Sequence, residues 1–252
     1  MQKEIKVSQE SIIAGLKALG VVSGMELEVH SSLGSFGYVT GGAETVIAAL
    51  KETVGPGGSI FMPALRLSPE LPLTEQDRAL GIMTKIKLLP VDCERSAMGV
   101  IADTFRRSPG TYLSEGVFRT AAWGRSAEQV ISGGLSYLIE NGGKALLLGV
   151  DIYKLTAMHY VENNMPEDIS AIFAPSEAVN QIYPPNEWLI ETGAPPVKAW
   201  YTIQAMAFER GLIRAGTIGN SRIMFFDIRE VVGLYERELK SNPYKLYGLA
   251  RD

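Results

Sequence analysis

Residues 29–65 read VHSSLGSFGYVTGGAETVIAALKETVGPGGSIFMPAL, and the order of patterns within this stretch decides the fold. Glu26 to His30 reads as a short strand that runs into the loop SSLGSFGYVTGG. Val46, Ile47, Leu50 and Val54 then form one apolar stripe ended by GPGG, so residues 43–54 make a helix entered through Gly41 and Gly42. SIFMPAL is the next strand. Strand, glycine-rich loop, helix and strand in this order make a βαβ unit. It predicts a parallel pair with its functional loop at the carboxyl end of the first strand.

Upstream, Ser8 is an N-cap, and Ile12, Ile13, Leu16 and Leu19 recur at helical spacing until Gly20 closes the segment. Downstream, residues 67–90 hold several prolines and mixed charges without periodicity, and read as an irregular excursion that could form part of a substrate wall. A short helix lies between Met98 and Phe105, with SPG as its stop, and FRTAAWG is a strand. Residues 126–140 read as a helix, and KALLLGV is the continuous apolar run of a central strand. Thr156 then opens a helix carrying His159 and Glu162. Residues 166–200, rich in Pro and Trp, suggest strands of a more open, mixed sheet. The tail alternates a helix over 199–211, a turn-and-strand segment GTIGNSRIMFFD and a closing helix over 228–240. The fold class is therefore α/β, a central mixed, partly parallel sheet flanked by helices. With no repeat and no linker, residues 1–252 are expected to form a single domain.

Composition narrows the function. In 252 residues, 46% are hydrophobic, enough to bury one sizeable core. A net charge of −4 gives no clustered basic footprint for phosphate neutralisation, which argues against DNA or RNA as a partner. The opening residues are amphipathic and charged rather than signal-like, and no apolar run approaches the ~20 residues of a membrane span. The expected compartment is the cytoplasm, with no membrane association. One cysteine, Cys93, and two histidines leave no pool for a His/Cys zinc site, so no metal is expected.

Three constellations could carry chemistry. The loop VHSSLGSFGYVTGG exposes backbone N–H groups beside a helix N-terminus, which suits phosphate, carbonyl or pantetheine amide groups. It lacks the Gly-Lys-Ser/Thr of a P-loop and the dinucleotide fingerprint, and its bland reading is a connector that uses glycine for turns. In TAMHYVE, Thr156, His159 and Glu162 are spaced to share one helix face, so a carboxylate could orient an imidazole that projects into a cleft. Removing a proton from an amine nucleophile suits a histidine; a surface His beside a Glu is the bland alternative. The segment DCERSAMG, residues 92–99, is a polar loop running into a helix, where Cys93 reads better as packing than as a nucleophile. Arg106 and Arg107 could meet coenzyme phosphates or simply close a helix end.

Together and in this order, these segments resemble the aminoglycoside 3-N-acetyltransferases, a coenzyme A-dependent family. The stretch 29–65 carries the closest likeness, joined by AMGVIADTFRRSPG, AAWG, GGKALLLGV, T-x-x-HYVE and GLIRAGTIGNSRIMFFDIREVV with its NPYKL tail. The resemblance implies an aminoglycoside 3-N-acetyltransferase-like fold and acetyl-CoA as co-substrate. It implies a coenzyme site lined by His30, Ser31, Ser32, Leu33, Gly34, Ser35, Thr40, Gly41 and Gly42, with Arg95, Ser96, Ala97 and Met98 opposite. It also implies His159 as general base, with Glu162 and Thr156 beside it, a small amine or amino-sugar acceptor, and antibiotic modification or a related N-acetylation. A homodimer would be compatible with it.

The sequence departs from the family on the acceptor side. SEGVFRT replaces a His-Pro-containing stretch, Tyr153 stands where an acidic residue is usual with Asp151 displaced by two, and the segment before KALLLGV is about ten residues shorter. Phe118 and Arg119 there would oppose a polycation, so aminoglycosides are expected to be poor acceptors. A non-catalytic or regulatory acyl-CoA-binding protein derived from such an enzyme is the alternative, and a hydrolase using Cys93 a distant third.

Overall fold

The computed structural model describes residues 5–193 and 198–249; the charged start at 1–4 and residues 194–197 of the Pro-rich segment lie outside the described residues. In chain order the first half comprises β1 (Lys6–Val7), α1 (Gln9–Ala18), β2 (Glu26–Ser31), β3 (Tyr38–Val39), α2 (Gly42–Val54), β4 (Ser59–Pro63), α3 (Glu75–Ala79), β5 (Ile82–Lys87), α4 (Gly99–Phe105), β6 (Tyr112–Leu113) and β7 (Thr120–Gly124). There follow α5 (Ala127–Glu140), β8 (Lys144–Leu148), α6 (His159–Glu162), α7 (Glu167–Phe173), α8 (Glu177–Ile182), β9 (Trp188–Thr192), α9 (Ala199–Glu209), β10 (Arg214–Ile218), β11 (Ser221–Asp227), α10 (Ile228–Ser241) and α11 (Pro243–Leu246).

A seven-stranded sheet runs β10-β11-β8-β2-β4-β7-β6. Its three middle strands, β8, β2 and β4, are parallel, and every strand outside them is antiparallel to its neighbour. The mixed, partly parallel sheet expected from the sequence is therefore present. Strand side chains alternate between two cores, as the period of two demands. Leu146 and Leu148 of β8, Ile60 and Met62 of β4, and Ile223 and Phe225 of β11 join α1, α2 and α4 on one face. Ala145 and Leu147, Phe61, and Met224 and Phe226 join α5, α9 and α10 on the other. Continuous apolar runs such as KALLL follow from burial on both faces.

Local chemistry sets the boundaries. Ser8 accepts from the Ser11 amide and completes a capping box for α1. Gly41, at φ 81°, enters α2 in the left-handed conformation that glycine adopts without steric cost. The expected helix over 126–140 is one element broken by a non-helical Gly134.

Two expectations are corrected. Residues 67–90 are not wholly irregular: α3 and β5 form there, and β5 pairs antiparallel with β9 in a separate two-stranded sheet. Residues 166–200 do not supply strands to an open main sheet, but fold mainly as α7 and α8 with the single strand β9. Together these segments make a small satellite around Ile82, Val179 and Ile190.

Candidate active site

The register of β2 on β8 sets Ser31 opposite Leu148, so the segments that follow both strands leave the sheet side by side. Alternation along β2 sends Leu27 and Val29 to one face and Glu28 and His30 to the other, where they are 2% and 6% exposed. Buried polar groups need partners, and these find the backbone above them. Glu28 Oε1 accepts the Ala157 N–H at 3.1 Å and lies 2.8 Å from His30 Nε2, which lies 3.2 Å from the Thr156 amide nitrogen. Two strand residues thus hold the start of the turn that carries His159. Glu28 Oε2 has no partner among the described residues.

The sequence reading placed Thr156, His159 and Glu162 on one helix face; the structure divides them. Thr156–Met158 is a 3-10 turn, and only His159–Glu162 is α-helical. Ala157 and Met158 are fully buried and anchor this turn, while the His159 side chain stands 61% exposed. His159 Nδ1 lies 2.6 Å from Glu162 Oε2, and Trp200 Nε1 donates to Glu162 Oε1 at 2.9 Å. Trp200 also packs edge-on against the imidazole at 4.8 Å. A carboxylate at Nδ1 favours the tautomer with its proton there, leaving the Nε2 lone pair directed away from the pair and available as a base.

On the other side of β2 two small-residue loops converge. Ser32 N–H bonds the Leu148 carbonyl, and residues 33–36 wind into a 3-10 turn whose Phe36 is fully buried. Ser35 Oγ donates to the Ser32 carbonyl at 2.7 Å and meets Ser221 Oγ at 2.7 Å. Gly149, at φ 72°, passes so close that a Cβ would collide with the Ser35 hydroxyl. Across the gap, Ser96 bonds Asp103 through its amide at 2.7 Å and its hydroxyl at 3.0 Å, and Ala97 N–H bonds the Leu67 carbonyl. A Cβ on Gly99, at φ 86°, would lie only 3.8 Å from the Ser31 carbonyl oxygen. The segment that carries Ser96, Ala97 and Met98 thus reaches the carboxyl end of β2 at Gly99. Thr40, Gly41 and Gly42 stand at the α2 N-terminus, and Arg95 is exposed. Ser31 Oγ is buried here with no partner among the described residues, an orphan hydroxyl of the kind a bound ligand satisfies.

Other expectations change with the geometry. His30 belongs to β2 rather than to the loop, and its burial makes it a support for Thr156 rather than a surface for a ligand. Arg106 and Arg107 bond the carbonyls of Cys93 and Glu94, so they brace the 93–99 loop, which is the blander of the two readings. Arg119 is 4% exposed and donates to the Ala64 and Val91 carbonyls; its charge does not line an open acceptor cleft. Sequence reasoning missed Glu28 and Trp200. The first had a signal, since Glu26, Glu28 and His30 put polar residues at every second position of a central strand. Trp200 had none: its contact with Glu162 spans 38 residues.

Helices on both faces of a mixed sheet, with small-residue loops and a histidine–glutamate pair beyond the carboxyl ends of its parallel strands, define an α/β protein with its site where such folds place ligands. More narrowly, the chain belongs to the aminoglycoside 3-N-acetyltransferase family, whose sequence profile matches residues 29–240. It is thus a divergent member of a family of N-acetyltransferases. It is 25% identical to the SPbeta prophage-derived aminoglycoside N(3')-acetyltransferase-like protein YokD of Bacillus subtilis over 94% of both chains. It is 32% identical to aminoglycoside N(3)-acetyltransferase III of Salmonella sp over 62% of this chain and 60% of that one. Among solved structures, AAC-IIIb in binary complex with CoASH shares the fold with a TM-score of 0.68 and 24% identity, over 94% of this chain and 97% of that one. No helix among the described residues is long and apolar enough to cross a membrane.

Proposed function

We propose that this protein is an acetyl-CoA-dependent N-acetyltransferase acting on a small amine, with His159 as the general base. The observation that carries the reading is the His159 Nδ1 to Glu162 Oε2 contact at 2.6 Å, on an imidazole exposed toward solvent. Acetyl-CoA supplies the acyl group as an activated thioester. The orphan Ser31 hydroxyl and the converging loops at 31–35 and 96–99 fit its narrow pantetheine arm, and 40–42 offer amides at a helix N-terminus. Within the site, Glu162 holds the imidazole in one tautomer, Nε2 takes a proton from the acceptor amine, and the Glu28–His30 pair fixes the backbone from which His159 projects. Among the described residues no activated nucleophile stands beside His159, so the simpler course is direct transfer: the amine attacks the thioester carbonyl, the C–N bond forms as the C–S bond breaks, and coenzyme A leaves as the thiolate. The same reading takes residues 1–252 as one domain working in the cytoplasm, where coenzyme A would be supplied to it.

The test is release of coenzyme A from acetyl-CoA across a panel of amines, with wild type and His159→Ala compared. Loss of the base lowers turnover by ~10²–10⁴-fold while coenzyme affinity, read by calorimetry, stays unchanged. Wild-type turnover in His159→Ala rules out this assignment of the base, and absence of coenzyme binding at millimolar concentration removes the whole reading.

A further inference from the structure

Beyond the base lies a run of aromatic rings that no step above uses. Trp200, edge-on to His159, is 5.8 Å from Tyr153, and Tyr153 stacks on Tyr201 at 5.6 Å. Tyr153 and Tyr201 are 37% and 41% exposed, so the run of rings reaches the surface. Two ammonium groups sit on this run: Lys198 Nζ is 4.2 Å and Lys154 Nζ 5.8 Å from the centroid of the same Tyr153 ring. Cation–π attraction gathers both charges at the Tyr153 ring, with Trp200 between that ring and the base. Among the described residues neither lysine has a carboxylate within ion-pair distance. The nearby carboxylates are committed elsewhere. Glu162 uses one oxygen for His159 and the other for Trp200, while Asp151 accepts the Tyr153 amide at 3.0 Å and, after burial, helps to push the Tyr201 phenol up.

We infer that Lys154 and Lys198 form a cationic clamp for the acceptor, and that the acceptor is a small amine bearing an anionic group, a phosphate ester or a carboxylate. The inference rests on the reading of His159 as the base. The acceptor's amine meets Nε2 of His159, and its anion lies between the two lysines, one ring beyond Trp200. A polycation meets the same two ammonium groups and is repelled. This replaces Arg119, which is buried, as the physical reason for disfavouring aminoglycosides.

Two matched pairs of probes test the clamp at two spacings: glucosamine against glucosamine 6-phosphate, and ethanolamine against phosphoethanolamine. Each is titrated calorimetrically into the protein saturated with coenzyme A, beside the Lys154→Gln/Lys198→Gln double variant, and kanamycin is run as the polycation. At least one phosphorylated amine is expected to bind about 10- to 100-fold tighter than its neutral twin and tighter than kanamycin. The advantage shrinks with added salt and disappears in the double variant, whose coenzyme affinity is unchanged. Equal affinities within both pairs, or an advantage that survives in the double variant, overturn the clamp. Acetyl transfer measured alongside separates the two readings. Selective binding without transfer sinks the acetyltransferase reading and leaves the clamp standing; transfer to kanamycin without anion preference does the reverse.

Discussion

Glu162 spends both carboxylate oxygens, one on His159 Nδ1 and one on the Trp200 indole N–H, so the imidazole is held from two sides. Trp200→Phe keeps an aromatic ring at the site but removes the N–H donor together with part of the indole. It is expected to lower kcat about tenfold with the KM for acetyl-CoA unchanged, because orientation of the base matters to the proton transfer and not to the coenzyme. Glu162→Gln acts in the same direction, with a larger loss than Trp200→Phe and a smaller one than His159→Ala. Steady-state kinetics of the three variants ranks them, and equal kcat for Trp200→Phe and wild type removes Trp200 from the positioning scheme. At this scale the sequence was legible where partners are close along the chain. His159 and Glu162 are three residues apart and pair as their spacing predicts, whereas Glu28 and Trp200 act across sheet and chain, where no local pattern records them. Arg119 misled because a charged residue is expected at the surface, and here two backbone carbonyls make burial of its guanidinium tolerable.

Among the elements, the satellite of α3, β5, α8 and β9 depends on one buried ion pair. Lys85 Nζ donates to Asp77 Oδ2 at 2.5 Å, Tyr183 OH donates to Asp77 Oδ1 at 2.5 Å, and both charged groups are within 8% of full burial. Burial alone would raise the Asp77 pKa, but the bonds from Lys85, Tyr183 and Thr74 outweigh it and hold the carboxyl well below its ordinary range. A depressed folded pKa gives stability that is present above the unfolded value and lost only as pH falls through the folded one. The satellite should therefore keep its anchor at mildly acidic pH. Asp77→Ala strands Lys85 and is expected to cost about 3–5 kcal/mol, read as an earlier urea transition in the fluorescence of Trp188, which packs against Tyr183. These elements were hard to foresee for a physical reason. β5 pairs with a strand more than a hundred residues away, so neither half shows its partner. In the Pro-rich segment Ser176 stands as the N-cap of α8, where its side chain accepts the Val179 N–H, a role that a segment read as strands does not suggest. The βαβ unit was legible because each of its signals lies within about a dozen residues of the next.

Across the whole molecule, the core on the α5, α9 and α10 face closes over a pair of tyrosines, Tyr235 and Tyr247, whose hydroxyls meet at 2.7 Å. Burial drives both phenols upward, Tyr247 to about 12 and Tyr235 further. Both folded values exceed the unfolded one of about 10, so their contribution is complete below that pH and declines as it is exceeded, when the unfolded chain ionises and the folded one does not. Stability is expected to fall by roughly 1 kcal/mol per pH unit for each group between about pH 10 and 12. Denaturant titrations across that window check the slope, which is expected to be shallower in the double variant Tyr235→Phe/Tyr247→Phe than in wild type. The alternating cores that frame this pair were foreseeable from continuous apolar strands; the pairing of two hydroxyls across a helix and the chain's tail was not.

One contact reaches further than its size suggests. The turn at 33–36 is fastened by Ser35 to Ser221, and Gly149 hydrogen-bonds Arg222, so β11 braces two loops that are encoded long before it. During synthesis these loops leave the ribosome before the strand that braces them. A nascent chain released only as far as β10 already contains Ser31, Ser96 and His159 but lacks the Ser35–Ser221 and Gly149–Arg222 bonds, so the turn at 33–36 and the segment after β8 are expected to be held more loosely until β11 joins the sheet.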